Sequence, residues 1–110
     1  AYRRQRQMCI RDSDKEYKLF AFADSGNKLK EPFSDYPVII VDKSKIPEKC
    51  ERLIPCQTVS GEGMLKAFKP DKVIISSSKN KIELTKVYVA FSEVKSKSFS
   101  AILSNELINI

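Results

Sequence analysis

The chain has 110 residues, enough for one small domain with its own core and too few for two. Hydrophobic residues make up 42% and charged residues 31%, and no apolar run reaches membrane-spanning length, which predicts a soluble globular domain. His is absent, which removes Ser-His and Cys-His nucleophilic machinery and His-based metalloprotease motifs, and leaves carboxylates as the main acid–base groups.

In chain order, the first segment stands apart. Arg3 to Ser13 reads RRQRQMCIRDS and holds four of the chain's five Arg. The same string results from translating an adapter used in transposon-based DNA sequencing libraries. Residues 1–13 are therefore set aside as an adapter-derived, disordered segment, the alternative being a natural basic arm for nucleic acid or a membrane. The domain proper is expected over residues 14–110. Setting the segment aside takes three charges from the chain's +6 and leaves a modest Lys excess, which is no nucleic-acid footprint. It also leaves Arg52 as the one Arg beside fifteen Lys. Those Lys cluster as KSK, KPDK, KNK and KSK around turn signals, where solvated Lys is the default. Cys50 and Cys56 match no zinc or redox spacing and read as free thiols in a reducing compartment; no metal or cofactor is expected.

From Asp14 onward the pattern is short and β-like. Tyr17 to Ala23 alternates aromatic or apolar residues with Lys18 and ends at Asp24-Ser25-Gly26-Asn27, a turn composition. Val38 to Val41 is a β-branched run of core-strand length. The segment Lys43 to Glu51 is polar and reads as an irregular crossing or a single helical turn. Leu53 to Val59 and Met64 to Phe68 flank Ser60-Gly61-Glu62-Gly63, a hairpin with Gly at its tip. Val73 to Ile75, Val87 to Phe91 and Phe99 to Leu103 are further strands, with a turn at Lys79-Asn80-Lys81. Ser104 then caps a short helix over residues 105–110, with Glu106 favourable in its first turn. Six or seven short strands at this spacing predict an all-β barrel or sandwich.

Phe22-Ala23-Asp24-Ser25-Gly26 carries the chemistry: two apolar residues, then Asp, a hydroxyl residue and Gly. Peptide hydrolysis by carboxylates needs two Asp a few ångströms apart sharing one proton, one acting as base on a water and the other as acid to the carbonyl oxygen. Like charges that close cannot both ionise, so the pair is poised for both roles. Ser25 can hydrogen-bond across two such loops, and Gly26 lets backbone approach where a side chain would block. Asp-Ser-Gly also makes an ordinary turn. Two facts favour chemistry: the triplet follows a strongly apolar strand, and all three Gly, at positions 26, 61 and 63, fall in this loop and the hairpin. Asp42 and Asp71 read as strand-end and turn formers.

Asp24-Ser25-Gly26-Asn27, then Pro37 to Val41, then Arg52-Leu53-Ile54-Pro55, then Met64 to Val73, closely resemble the sigma-E-processing peptidases of endospore-forming bacteria, in order and spacing over about residues 15–110. That resemblance implies a retropepsin-like acid-protease barrel with a short C-terminal helix, acting as a homodimer. It implies an aspartic endopeptidase that removes the N-terminal prosequence of the sporulation sigma-E precursor. Asp24 would be catalytic, Ser25, Gly26 and Asn27 would support its loop, and Ser60, Gly61, Glu62 and Gly63 would form the substrate-covering flap. The family also implies an N-terminal membrane region, absent here, a place on the cytosolic face of the mother-cell membrane, and activation by a secreted signalling protein. Ser104 departs from the retroviral proteases, which carry Gly after the late apolar pair.

Two other classes compete. A retropepsin-like dimerisation domain without catalysis has no use for an Asp aimed at its own copy. A small basic β-barrel binding single-stranded nucleic acid would use Tyr17, Phe20, Phe22, Tyr88 and Phe91 to stack bases, but alternating strand aromatics are more often core. No nucleic-acid partner is expected.

Overall fold

The computed structural model describes residues 5–23, 26–58 and 61–107. Among these residues nine strands form one sheet: β1 Gln5–Asp12, β2 Lys15–Ala23, β3 Val38–Asp42, β4 Arg52–Thr58, β5 Gly61–Phe68, β6 Lys72–Ser76, β7 Lys81–Leu84, β8 Tyr88–Ser92 and β9 Ala101–Leu103. Their order across the sheet is β4-β5-β8-β3-β9-β2-β1-β6-β7. The sheet curls around the main core, to which Ala21, Val41, Phe68, Ile75, Val89 and Leu103 contribute from six strands. The all-β expectation holds, and the helical content described is a single 3-10 turn at Asn105–Leu107.

The connection that matters most is the late one. β9 returns to the sheet between β2 and β3, parallel to β2 (Ala21↔Ala101, Phe22↔Ile102, Ala23↔Leu103) and antiparallel to β3 (Ile40↔Ile102, Val41↔Ala101). β3 in turn pairs in parallel with β8 over five residues. Parallel neighbours need long crossovers and end up buried, and the sequences match: Val38, Ile39, Val41 and the run Tyr88 to Phe91 are buried.

The expectation that residues 1–13 lack defined packing is corrected for residues 5–12. β1 pairs with β2 (Met8↔Leu19, Ile10↔Tyr17) and with β6 (Met8↔Ile75, Ile10↔Val73), and Met8 and Ile10 are buried. The reason is a period of two that the Arg density hides: Met8 and Ile10 face inward while Gln7 and Arg11 are exposed. A slot between two strands offers backbone partners to any segment with that alternation, so its place in the fold is a separate matter from the source of its codons. Ile10→Ala should lower the stability of the chain by about 2–4 kcal/mol in urea unfolding, the usual cost of deleting buried methyl groups. A change below about 0.5 kcal/mol, as at an exposed surface site, would put β1 outside the cooperative fold.

Candidate active site

The apolar strand β2 ends at Ala23, whose neighbour across the parallel ladder is Leu103, the last residue of β9. Both are almost fully buried in the main core. Asp24 and Ser25 follow directly and lie outside the described residues. Gly26 sits exposed on a turn.

Asn27 is the next fixed point, a polar residue only 6% exposed. Its side-chain Nδ2 donates to the carbonyl oxygens of Val38 on β3 (3.1 Å) and Ile102 on β9 (3.3 Å), while its Oδ1 accepts from the Leu29 N–H (3.3 Å). Both amide protons and the carbonyl oxygen are thus engaged. The β3–β9 ladder covers Ile40↔Ile102 and Val41↔Ala101, and the Asn27 amide joins the two strands beside it. The two-residue gap from 24 to 25 is therefore bracketed by a buried strand end and, after Gly26, by a buried amide clamp.

Below this bracket, Ser104 is 1% exposed, and its hydroxyl accepts from the Glu106 N–H (3.4 Å), capping the 3-10 turn as the sequence suggests. Ser104 fits where a Gly was the reference because its short side chain turns back onto that N–H. Lys30 reaches across to Glu106 (2.8 Å) and to Asp35 (3.7 Å). These pairs are solvent-accessible and set geometry more than stability.

The segment leaving the clamp is organised by a carboxylate that the sequence did not single out. Glu31 is 2% exposed. Its Oε1 accepts from Ser34 N–H (2.8 Å), Ser34 hydroxyl (2.8 Å) and Phe33 N–H (3.2 Å), and its backbone pairs with Tyr36 and Asp35. Burial pushes the Glu31 carboxyl up, but the Ser34 and Phe33 hydrogen bonds, helped by the Arg52 charge, outweigh it and hold it below the ordinary carboxylate value. A Glu beside Pro32 in a polar stretch reads as solvated; Ser34 three residues on is the one signal of a closed turn. Asp35 completes that turn at a φ of 62°, in the left-handed region.

The hairpin β4–β5 is in register from Arg52↔Ala67 to Thr58↔Gly61. Ser60, part of the expected flap, lies outside the described residues. Gly61 is not the tip but the first residue of β5, where its φ of 123° explains the glycine even though a side chain would meet open space. Glu62 faces Gln57 and Gly63 faces Cys56 across the hairpin. One face of the hairpin is apolar and inward: Ile54 is buried and Leu65 packs with it in a second core with Val38, Tyr88, Ala67, Ala90, Leu29 and Tyr36. The other face leaves Leu53 and Met64 more than half exposed. Through Leu29, two residues past Asn27, the hairpin and the exit of the Asp24 loop share one core. Asp42 and Asp71 serve turns instead, accepting from the N–H groups of Ser44 (3.3 Å) and Ser13 (2.9 Å). Cys9, Cys50 and Cys56 are all free thiols.

The fold is similar to the solution structure of Simian Foamy Virus (mac) protease over 93% of this chain and 88% of that one, with a TM-score of 0.50 and 16% sequence identity. The architecture is thus that of a retropepsin-like protease. The chain belongs to the peptidase U4 family, sporulation factor SpoIIGA, whose model matches residues 2–51 and 44–107. It is 33% identical over 107 residues to a protein of Clostridium acetobutylicum named as a sporulation sigma-E factor-processing peptidase. That match covers 89% of this chain and 39% of the relative, so the chain spans well under half of the relative's length. Among the described residues, no helix is long and apolar enough to cross a membrane.

The clamp gives a direct expectation. Asn27→Leu, close to isosteric, would leave Val38 O, Ile102 O and Leu29 N–H without this partner. It should cost about 2–4 kcal/mol by denaturant unfolding, since each buried group left unpaired costs on the order of 1–3 kcal/mol. Stability within about 0.5 kcal/mol of wild type would show that the amide does not hold the strands together.

Proposed function

We propose that this chain is the peptidase domain of an aspartic endopeptidase that works as a homodimer, each chain supplying Asp24. What supports this reading most is the bracket around Asp24 and Ser25: β2 pinned to β9 on one side and the Asn27 clamp on the other. A carboxylate used as acid and base must be held within a few tenths of an ångström, and rigid flanks supply that. Membership of a peptidase family and the retropepsin-like fold support a protease in coarser terms.

The chemistry needs two carboxylates, and the chain holds one Asp-Ser-Gly loop at a strand end. Two copies about a two-fold axis bring the pair together without further sequence. One Asp24, ionised, takes a proton from a water that attacks the peptide carbonyl carbon. The other, protonated, gives its proton to the carbonyl oxygen. The tetrahedral intermediate then collapses as a proton passes to the departing amide nitrogen, leaving carboxyl and amine products. Ser25 hydroxyls would hold the two loops to each other, and the β4–β5 hairpin with Ser60 to Gly63 would cover the bound peptide.

In this reading the substrate is the sporulation sigma-E precursor, cut to release its N-terminal prosequence. The longer protein would be anchored so that this domain lies at the cytosolic face of the mother-cell membrane, with a secreted sporulation signalling protein as activator. Anchoring would raise the local concentration and favour pairing of a weakly associating domain.

Co-production of the longer peptidase with the sigma-E precursor tests the assignment. Asp24→Asn and Asp24→Ala should abolish cleavage, and normal processing by either would overturn the catalytic role. In mixtures of wild type and Asp24→Asn, activity should fall as the square of the wild-type fraction. A linear loss would mean that one chain suffices.

A further inference from the structure

Backbone pairing joins the hairpin to the rest of the sheet through Ala67↔Ala90 and Phe68↔Val89. Residues 53–58 and 61–66 therefore run on as a two-stranded ribbon, with β4 at the sheet edge. Such a ribbon is marginal by itself, so its direction depends on the inner face, where Ile54 and Leu65 pack in the second core, and on its root. The root residue of β4 is Arg52.

Arg52 is also the one Arg among residues 14–110, where every other cation is Lys. Its guanidinium lies over the Phe33 ring, 6.0 Å from the centroid, and Tyr88, then Glu31 and Glu51, favour its charged form. Each of these partners is held from elsewhere. Phe33 is 89% exposed and has no role in either core, yet its backbone is fixed by the Glu31 carboxylate. Tyr88 is 7% exposed and opens β8 inside the second core, next to Tyr36. A planar guanidinium can lie on an aromatic face and still donate in its own plane, whereas the point charge of Lys cannot do both.

We propose that Arg52 is a positioning residue that helps set the direction of the β4–β5 hairpin by holding its root against the Phe33 turn. The proposal rests on reading the hairpin as the cover of the peptidase site, because its consequence is catalytic. The segment carrying Phe33 is the one that leaves the Asn27 clamp, so Arg52 ties the cover to the exit of the Asp24 loop. Phe33 thus meets the hairpin root through one cation–π contact while remaining largely exposed.

Amide hydrogen exchange on the 110-residue chain tests the clamp without any catalysis. Arg52→Lys keeps the charge and should raise exchange across residues 53–66 by about tenfold, since local opening follows the loss of the contacts that close it. Strands β1, β2 and β6 should keep wild-type rates. Phe33→Leu and Tyr88→Phe should each give part of the same local effect. Wild-type exchange of the hairpin in Arg52→Lys would overturn the proposal, as would uniform acceleration of all strands, which would make Arg52 a general stabilising residue. In the longer peptidase, Arg52→Lys should shift kcat and KM together, as hinge changes do, while retaining activity. If exchange changes as expected but kcat and KM do not, the hairpin is clamped but does not cover the site. Cleavage by Asp24→Asn would instead remove the aspartic mechanism and leave the exchange result standing.

Discussion

One buried side-chain amide holds this site together. Asn27 spends both of its Nδ2 protons on carbonyls of two different strands and its oxygen on the backbone two residues ahead. Strands β3 and β9 would otherwise meet through two residue pairs. Asn27 is only 6% exposed, so unmaking these bonds leaves polar groups with little water to compensate them. That asymmetry, more than the net strength of the bonds, makes the arrangement rigid. The clamp and the buried end of β2 are the fixed points on either side of Asp24 and Ser25.

The two cores divide the labour. The main core, from Met8 and Ile10 through Val89 to Leu107, fixes β1, β2, β6, β8 and β9 and with them the approach to the loop. The second core, around Val38, Ile54 and Tyr88, ties the root of the hairpin to Leu29 and Tyr36 in the segment that leaves it. Beyond that root the hairpin projects with Leu53 and Met64 exposed. In the proposed reading the main core is the floor of the site and the hairpin its cover, the distribution a peptidase needs if substrate is to enter and water is to be controlled.

Much of this is legible in the sequence. The alternation of Tyr17 to Ala23, the β-branched run Val38 to Val41 and the apolar run to Leu103 each mark a strand within a residue or two of its observed bounds. Burial patterns with a period of two, or continuous where a strand is covered on both faces, are strong signals. Where the pattern was diluted, the reading failed. Four Arg obscured the Met8 and Ile10 alternation of β1, and Lys-Asn-Lys drew attention from β7, an edge strand whose Ile82 and Leu84 pack on the main core. Glycine marks the hairpin tip in the sequence, whereas Gly61 opens β5 with the positive φ that glycine tolerates. Glu31 and the contacts of Arg52 depend on tertiary neighbours, Ser34 aside, and no local spacing reports them. Asp24, Ser25 and Ser60 were singled out by residue type and family resemblance, and they lie outside the described residues; the bracket around the first two is where sequence and structure meet.

The central claim is that one active site needs two chains, and inhibitor stoichiometry tests it most directly. A peptide whose scissile bond is replaced by a hydroxyl-bearing, non-cleavable group mimics the tetrahedral intermediate and binds a shared carboxylate pair far more tightly than substrate. Titrated calorimetrically into the active longer peptidase, it should bind at one inhibitor per two chains, with Asp24→Ala abolishing the tight binding. Saturation at one inhibitor per chain would contradict the account, because each Asp24 would then serve a site of its own.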